Sequence, residues 1–308
     1  MVYGYGFLRL ENANSITETT NAILPNMRIV QPAIPQKEKW GSRYRARNFA
    51  DFLQLTQAGR GNGIHTVIWP ETAAAFFLED IPEARQAIAR ALPEGGVLIT
   101  GAPRRDTAAG TIHNSGLVLD ADGEVIEAYD KSHLVPFGEY VPLRSVLPVE
   151  KVAHGMSDYT PGPGPRTIHI PGVPPVSILI CYEAVFPGQV VNDVQRPKWM
   201  LNLTNDAWYG RTAGPYQHLA IVRTRAVEEG LPMVRAASTG ISAVYDSYGR
   251  EMGRLALEQA GYLDFALPEP LEEGTVFSRT GNGLMILLVA AILGMLVVAN
   301  NRLDSKQL

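Results

Sequence analysis

The chain has 308 residues, 46% of them apolar, with 27 Lys or Arg against 31 Asp or Glu and a net charge of −4. That is enough material for one large domain or two ordinary ones. The acidic balance, with no Lys/Arg-rich run and no phosphate-cradling Gly-Lys-Ser/Thr loop, argues against nucleic acid as a partner. One cysteine, Cys181, excludes an internal disulfide and thiolate zinc sites, and the 6 histidines show no H-x-x-x-H pairing for another metal centre.

In chain order, the N-terminus "MVYGYGFLRLENANS" has no apolar run long enough for a signal peptide. Met27–Val30 begins a short strand, and Lys37–Gln57 reads as one helix with Trp40, Tyr44 and Phe52 among polar residues. "HTVIWPE" (65–71) is an apolar strand stopped by Pro70; Pro82–Leu92 is helical, and "GGVLITGAP" is a further buried strand. Residues 114–131, "NSGLVLDADGEVIEAYDK", form a hairpin around Asp-Ala-Asp-Gly. The stretch 136–175 is expected to be loop, because "PGPGP" and "PGVPP" oppose regular structure. Strands "VSILICY" and "KWMLNLT", a helix over Tyr216–Glu229 and a hairpin, "SAVYDSYGREMG" (242–253), follow. Hairpins mixed with strand–helix units predict an α/β layered domain in which helices cover two packed sheets.

The C-terminal "LMILLVAAILGMLVVA" (Leu284–Ala299) has sixteen uncharged apolar residues and no polar stripe. As a helix it reaches roughly 24 Å, a little short of a ~30 Å hydrocarbon core, and reads as a membrane anchor. Arg302 and Lys306 beyond it place the tail in the cytoplasm by the positive-inside bias, with the domain before the anchor on the opposite side. The expected organisation is a connector (1–26), a catalytic domain (27–267), a linker (268–283), a transmembrane helix (284–299) and a cytoplasmic tail (300–308).

Three ionisable residues sit at expected strand ends: Glu71 after "HTVIWP", Lys131 after "VIEAYD" and Cys181 in "SILICYE". A thiol is only a few per cent thiolate at neutral pH, and a neighbouring cation is expected to lower its pKa. A carboxylate can take and return the thiol proton, and a lysine can hold an oxyanion together with a backbone N–H, here expected to be that of Tyr182. His133 and His218 pose a rival Cys–His arrangement of the papain type.

The segments "IWPET", "YDKSHLVPFGEYVPL" and "ICYEAVFP" resemble, in order, the Glu-Lys-Cys regions of the carbon–nitrogen hydrolase (nitrilase) superfamily. Within it, "RIVQPAIPQKEKW", "VPFGEYVPL", "NDAWYG", "GPYQH" and "RAVEEG" are similar to the apolipoprotein N-acyltransferase family, from about residue 3 through the terminal anchor. The resemblance implies a nitrilase-like α-β-β-α sandwich followed by one C-terminal transmembrane helix. It implies an enzyme of the bacterial inner membrane, its catalytic domain facing the periplasm. The acyl donor is a membrane phospholipid, and the acceptor is the N-terminal diacylglyceryl-cysteine of an apolipoprotein. The intermediate is a Cys181 thioester, and no cofactor is needed. Members of that family carry several membrane helices before this domain, of which "YGYGFLRL" matches the final connection. By residue, the resemblance assigns Glu71, Lys131 and Cys181 as the triad and Glu139 as a second carboxylate orienting the lysine. Tyr182 and Glu183 flank the nucleophile and serve equally well to hold the strand end, while Trp208 and Tyr209 are candidates for an acyl pocket. The alternatives are a soluble amidase or nitrilase of the same superfamily, which would lack the anchor, and an inactive remnant.

Overall fold

The computed structural model describes residues 26–59, 63–142 and 158–304, together with residues 6 and 10. Most of the expected connector, residues 143–157 of the expected loop and residues 305–308 of the expected tail, Lys306 among them, lie outside the described residues.

Two six-stranded sheets face each other. The first has the order β12 (Gly261–Ala266), β1 (Asn26–Gln31), β2 (Ile64–Ile68), β3 (Val97–Asp106), β4 (Thr111–Leu119), β5 (Val125–Asp130). The second has the order β11 (Glu251–Leu255), β10 (Ser242–Tyr245), β9 (Met233–Ala237), β8 (Trp199–Thr204), β7 (Val173–Ile180), β6 (Thr167–Ile170). β1, β2 and β3 run parallel in one sheet and β7, β8 and β9 in the other, while the hairpins at the edges are antiparallel. Helices α2 (Ser42–Gln57) and α3 (Pro82–Ala91) cover the first sheet, burying Phe52 and Ile88 against Val67, Trp69 and Leu98. Helix α4 (Gly214–Glu229) covers the second, burying Leu219 and Val222 against Leu179, Met200 and Met233. The result is the expected α-β-β-α sandwich.

The sheet interface explains the residue pattern. Parallel strands buried on both faces read as continuous apolar runs, and β8, "WMLNLT", is buried at every position. Ile29, Ile68, Ile99, Ile178, Leu201 and Val234 meet between the sheets. Gly116 in β4 permits this approach: a Cβ there would lie 3.1 Å from Ile178 and 3.4 Å from Leu203 of the other sheet.

Several local expectations are corrected. The helix over Lys37–Gln57 is broken at Trp40-Gly41 into α1 (Gln36–Lys39) and α2. "PGVPP" does not end regular structure: β7 begins at Val173 and contains Pro174 and Pro175. Pro175 still serves through its carbonyl, which accepts from Lys198 N–H, since a proline in a strand loses only its own donor. β9 and β12 were not singled out in the sequence, because "MVRAA" and "GYLDFA" are short and carry polar residues within the run. The expected linker holds a further short helix, α5 (Val276–Thr280), capped by the Thr275 hydroxyl, which accepts from Ser278 N–H.

The C-terminal apolar segment is helical, within α6 (Gly283–Asp304). Its side chains are exposed, Met285, Ile286, Leu287, Leu293 and Leu296 among them. The described side chains, Leu284 to Val297, span roughly 21 Å of helix, and among the described residues no helix is long and apolar enough to cross a membrane.

Candidate active site

Parallel strands present their following residues at one rim, and both sheets deliver their chemistry there. Glu71 follows β2 by three residues, Lys131 follows β5 directly, and Cys181 follows β7 directly. Lys131 Nζ lies 3.6 Å from Glu71 Oε1, with both side chains buried. Glu139 supplies the second carboxylate, accepting from Lys131 Nζ at 3.0 Å through Oε1, with Oε2 at 2.9 Å. Its Oε2 also accepts from Val135 N–H at 2.8 Å, which closes the loop after Lys131. Burial opposes the charge on Lys131, but Glu139 and then Glu71 hold its ammonium above the ordinary lysine range.

Cys181 is not the end of a strand, as the sequence suggested. It opens a short 3₁₀ turn, Cys181–Val185, with φ of 51°. A non-glycine residue in this left-handed region costs about 1–2 kcal/mol, because Cβ crowds the following carbonyl. The thiol is pushed up to about 12, first by burial and then by the charge of Glu71, with Lys131 opposing both. Lys131 does act in the expected direction, lowering the thiol, but burial and then the Glu71 carboxylate outweigh it.

Glu183 fastens this turn to the lysine loop. Its Oε1 accepts from Tyr129 O–H (2.7 Å), Ser132 N–H (2.8 Å), Ser132 Oγ–H (2.7 Å) and His133 N–H (3.3 Å). Its Oε2 accepts from Ile180 N–H at 2.7 Å. One buried carboxylate thus ties the residues after Lys131 to the residue before Cys181. Tyr182 is half-buried, its ring edge-on to Phe186 at 5.0 Å. Trp208 and Tyr209 lie on a 3₁₀ turn after β8 and are 52% and 43% exposed.

The rival histidines do not meet the thiol in this way. His133 stacks on Phe186 at 4.4 Å. His218 lies behind Cys181, its Nε2 3.2 Å from the Cys181 backbone oxygen.

Several residues of the cluster were not singled out in the sequence. Lys39 is buried, and its Nζ donates to the backbone oxygen of Glu71 at 2.9 Å. Burial brings its pKa down to about 8, against the charges of Glu71 and Cys181. Asn114 Nδ2 donates to Glu71 Oε1 at 2.9 Å and to Glu139 Oε1 at 2.8 Å, joining the two carboxylates. Asp206 and Arg235 form a buried ion pair beyond His218. Lys39 sits in a polar run, "PQKEKW", which reads as surface helix, and Asn114 and Arg235 lie inside strands. A buried charge within "MVRAA", where an exposed strand position would be as ordinary, is the one signal present.

With this geometry in place, known proteins give a consistent picture. The carbon–nitrogen hydrolase family profile matches residues 27–270. An apolipoprotein N-acyltransferase of Rhodopseudomonas palustris is 41% identical over 296 residues, covering 90% of this chain and 54% of the relative. One of Bradyrhizobium diazoefficiens is 40% identical over 300 residues, covering 93% of this chain and 55% of the relative. The chain thus spans about half the length of the curated relatives it matches. Among solved structures, an amidase from Nesterenkonia sp. superposes with a TM-score of 0.58 at 20% identity, covering 82% of this chain and 94% of that one. A variant of the Nesterenkonia sp. AN1 amidase, with the acetamide moiety of fluoroacetamide added covalently at its active-site cysteine, superposes with the same TM-score, 0.58, at 20% identity. It covers 81% of this chain and 92% of that one, and these likenesses speak for the fold. The profile match over most of the chain and the two-sheet architecture place this protein in the carbon–nitrogen hydrolase family.

Proposed function

We propose that this chain carries the acyl-transfer centre of an apolipoprotein N-acyltransferase. The observation that carries the reading is the meeting of Glu71, Lys131 and Cys181 at one rim, in a chain about 40% identical to relatives with that name. Cys181 rests as a thiol. When a phospholipid ester reaches it, Glu71 takes the thiol proton as Sγ attacks the ester carbon. Lys131 and the Tyr182 N–H hold the oxyanion, with Glu139 and Asn114 keeping Lys131 and Glu71 in register. The ester C–O bond breaks, Glu71 returns the proton to the departing lysophospholipid, and a thioester stays on Cys181. The α-amine of a diacylglyceryl-cysteine then attacks. The N–C bond forms, the S–C bond breaks, and Glu71 passes the amine proton to the thiolate. This route calls for no metal or organic cofactor.

The exposed apolar face of α6 supports membrane attachment. In this reading Leu284–Ala299, within that helix, forms the anchor, residues 300–308 its cytoplasmic tail, and residues 27–267 the catalytic domain on the periplasmic side of the inner membrane. Residues 1–26 and 268–283 are the connector and linker. Trp208 and Tyr209, exposed on the turn after β8, contact the acyl chain.

Incubation with radiolabelled phospholipid tests the reading. A hydroxylamine-sensitive acyl label on the protein, absent from Cys181→Ala, is expected. Label persisting in that variant overturns the assignment, and turnover of small amides without acyl transfer points to a hydrolase instead.

A further inference from the structure

We propose that His218 is a positioning residue for the nucleophile: it bridges Asp206 to the Cys181 carbonyl with hydrogen on both ring nitrogens and so fixes the left-handed turn that presents the thiol. The inference rests on Cys181 being the reacting group.

The ring sits between two acceptors. Nδ1 is 3.0 Å from Asp206 Oδ1, and Nε2 is 3.2 Å from the Cys181 backbone oxygen. A carboxylate and a carbonyl both only accept, so each nitrogen must donate. With one hydrogen alone, a lone pair would face an oxygen on one side of a buried ring. Arg235 Nη2 also lies 3.4 Å from Nδ1, but that group donates to Asp206 Oδ2 at much closer range, which leaves Nδ1 to Oδ1. Charged and titratable groups around the ring include Asp206, Arg235, Cys181 and the edge of Tyr209, whose ring centroid is 6.4 Å away.

The bridge is braced from both sheet strands behind it. Arg235 in β9 donates from Nη1 to Asn202 Oδ1 in β8 at 2.5 Å, and Asn202 Nδ2 lies 3.4 Å from the same Cys181 oxygen. Thr204 Oγ donates to Asp206 Oδ1 at 3.3 Å. His218, Asp206, Asn202 and Arg235 are all buried. The carbonyl of a strained residue thus receives two donors, each held by a further ionic or amide partner. The cluster therefore acts on the thiol through the backbone it holds, by fixing the carbonyl of the residue that carries Sγ.

Cys181 being the lone cysteine, its alkylation by iodoacetamide reads thiol presentation with no assumption about the acyl donor. In His218→Phe the alkylation rate near neutral pH is expected to fall about tenfold, because the turn that presents the thiol loses its bridge. His218→Gln, which keeps a donor without the charge, is expected to recover only part of the loss, with unchanged near-UV circular dichroism. Nitrogen-15 NMR of histidine-labelled wild-type protein in detergent is expected to show one ring with hydrogen on both nitrogens near neutral pH, absent from either variant. A single-hydrogen ring at His218, or wild-type alkylation rates in both variants, overturns the proposal. If phospholipid never labels the wild type while these results hold, the acyl donor has been misassigned and the role of His218 stands.

Discussion

Lys39 donates from its buried ammonium to the backbone oxygen of Glu71, 2.9 Å away, while Lys131 faces the carboxylate of the same residue at 3.6 Å. Glu71 is therefore gripped at both ends by cations from different parts of the chain. Burial lowers Lys39 to about 8, so its charge is lost as the solution becomes mildly alkaline. Lys39→Met is expected to slow acylation of Cys181 about tenfold at neutral pH. The wild-type rate is expected to carry a downward limb near pH 8 that the variant lacks, read from the pH dependence of single-turnover acylation. For stability the sign is the reverse. The folded value, about 8, lies below the ordinary 10.5, so the unfolded chain binds more protons between them. Stability from this residue rises with pH through that window, and urea midpoints of Lys39→Met are expected to lack the rise.

Glu71→Gln removes the proton acceptor and leaves a thiol that burial still pushes up without a partner to ionise it. Its acylation is expected to fall by about 10²–10⁴. Rates for Glu71→Gln and Cys181→Ala in the phospholipid-labelling assay check this, with no label at all in the latter.

Glu183→Gln places an amide where one carboxylate oxygen takes donors from Tyr129, Ser132 and His133 and the other takes Ile180 N–H. Some of these donors then face an N–H₂ group. A loss of about 2–4 kcal/mol is expected, measured by denaturant unfolding. Acylation is expected to slow as well, since the Lys131 loop and the Cys181 turn lose their shared anchor.

Gly101 in β3 packs its Cα against the Glu71 backbone: an added Cβ would meet Glu71 Cα and Thr72 N at 2.5 Å. Backbone cannot yield as a flexible side chain can. Gly101→Ala is expected to cost about 1–3 kcal/mol and to reduce acylation well beyond that loss of stability, because Glu71 must shift. Thermal unfolding and labelling rates of the same preparation separate the two effects.

Asp206 is held down to about 2: burial opposes its charge, but Arg235 and His218 outweigh burial. Its folded value lies below the ordinary 3.8, so its contribution is fully present above that pH and is lost as pH falls towards 2. Asp206→Asn is expected to be less stable at neutral pH and to lose less on acidification, measured as urea midpoints between about pH 2 and 5.

The sequence by itself determined the layers and which residue types stand at the candidate site. Apolar runs such as "ILI" before Cys181 and "WMLNL" in β8 can only be strands buried on both faces, and the turn "DADG" fixes its hairpin. Glu71, Lys131, Cys181 and Glu139 were legible because motif spacing survives in one dimension. The tertiary structure alone decided what those residues experience. The φ of Cys181 depends on the turn it opens, and the protonation of its thiol depends on burial and on which charges the first sheet brings near. Lys39, Asn114, Asp206 and Arg235 join the site without having been singled out one by one, since a charge is costly only once neighbours have removed its water. Burial and partnership are properties of the folded chain, and they set the chemistry that the residue types merely permit.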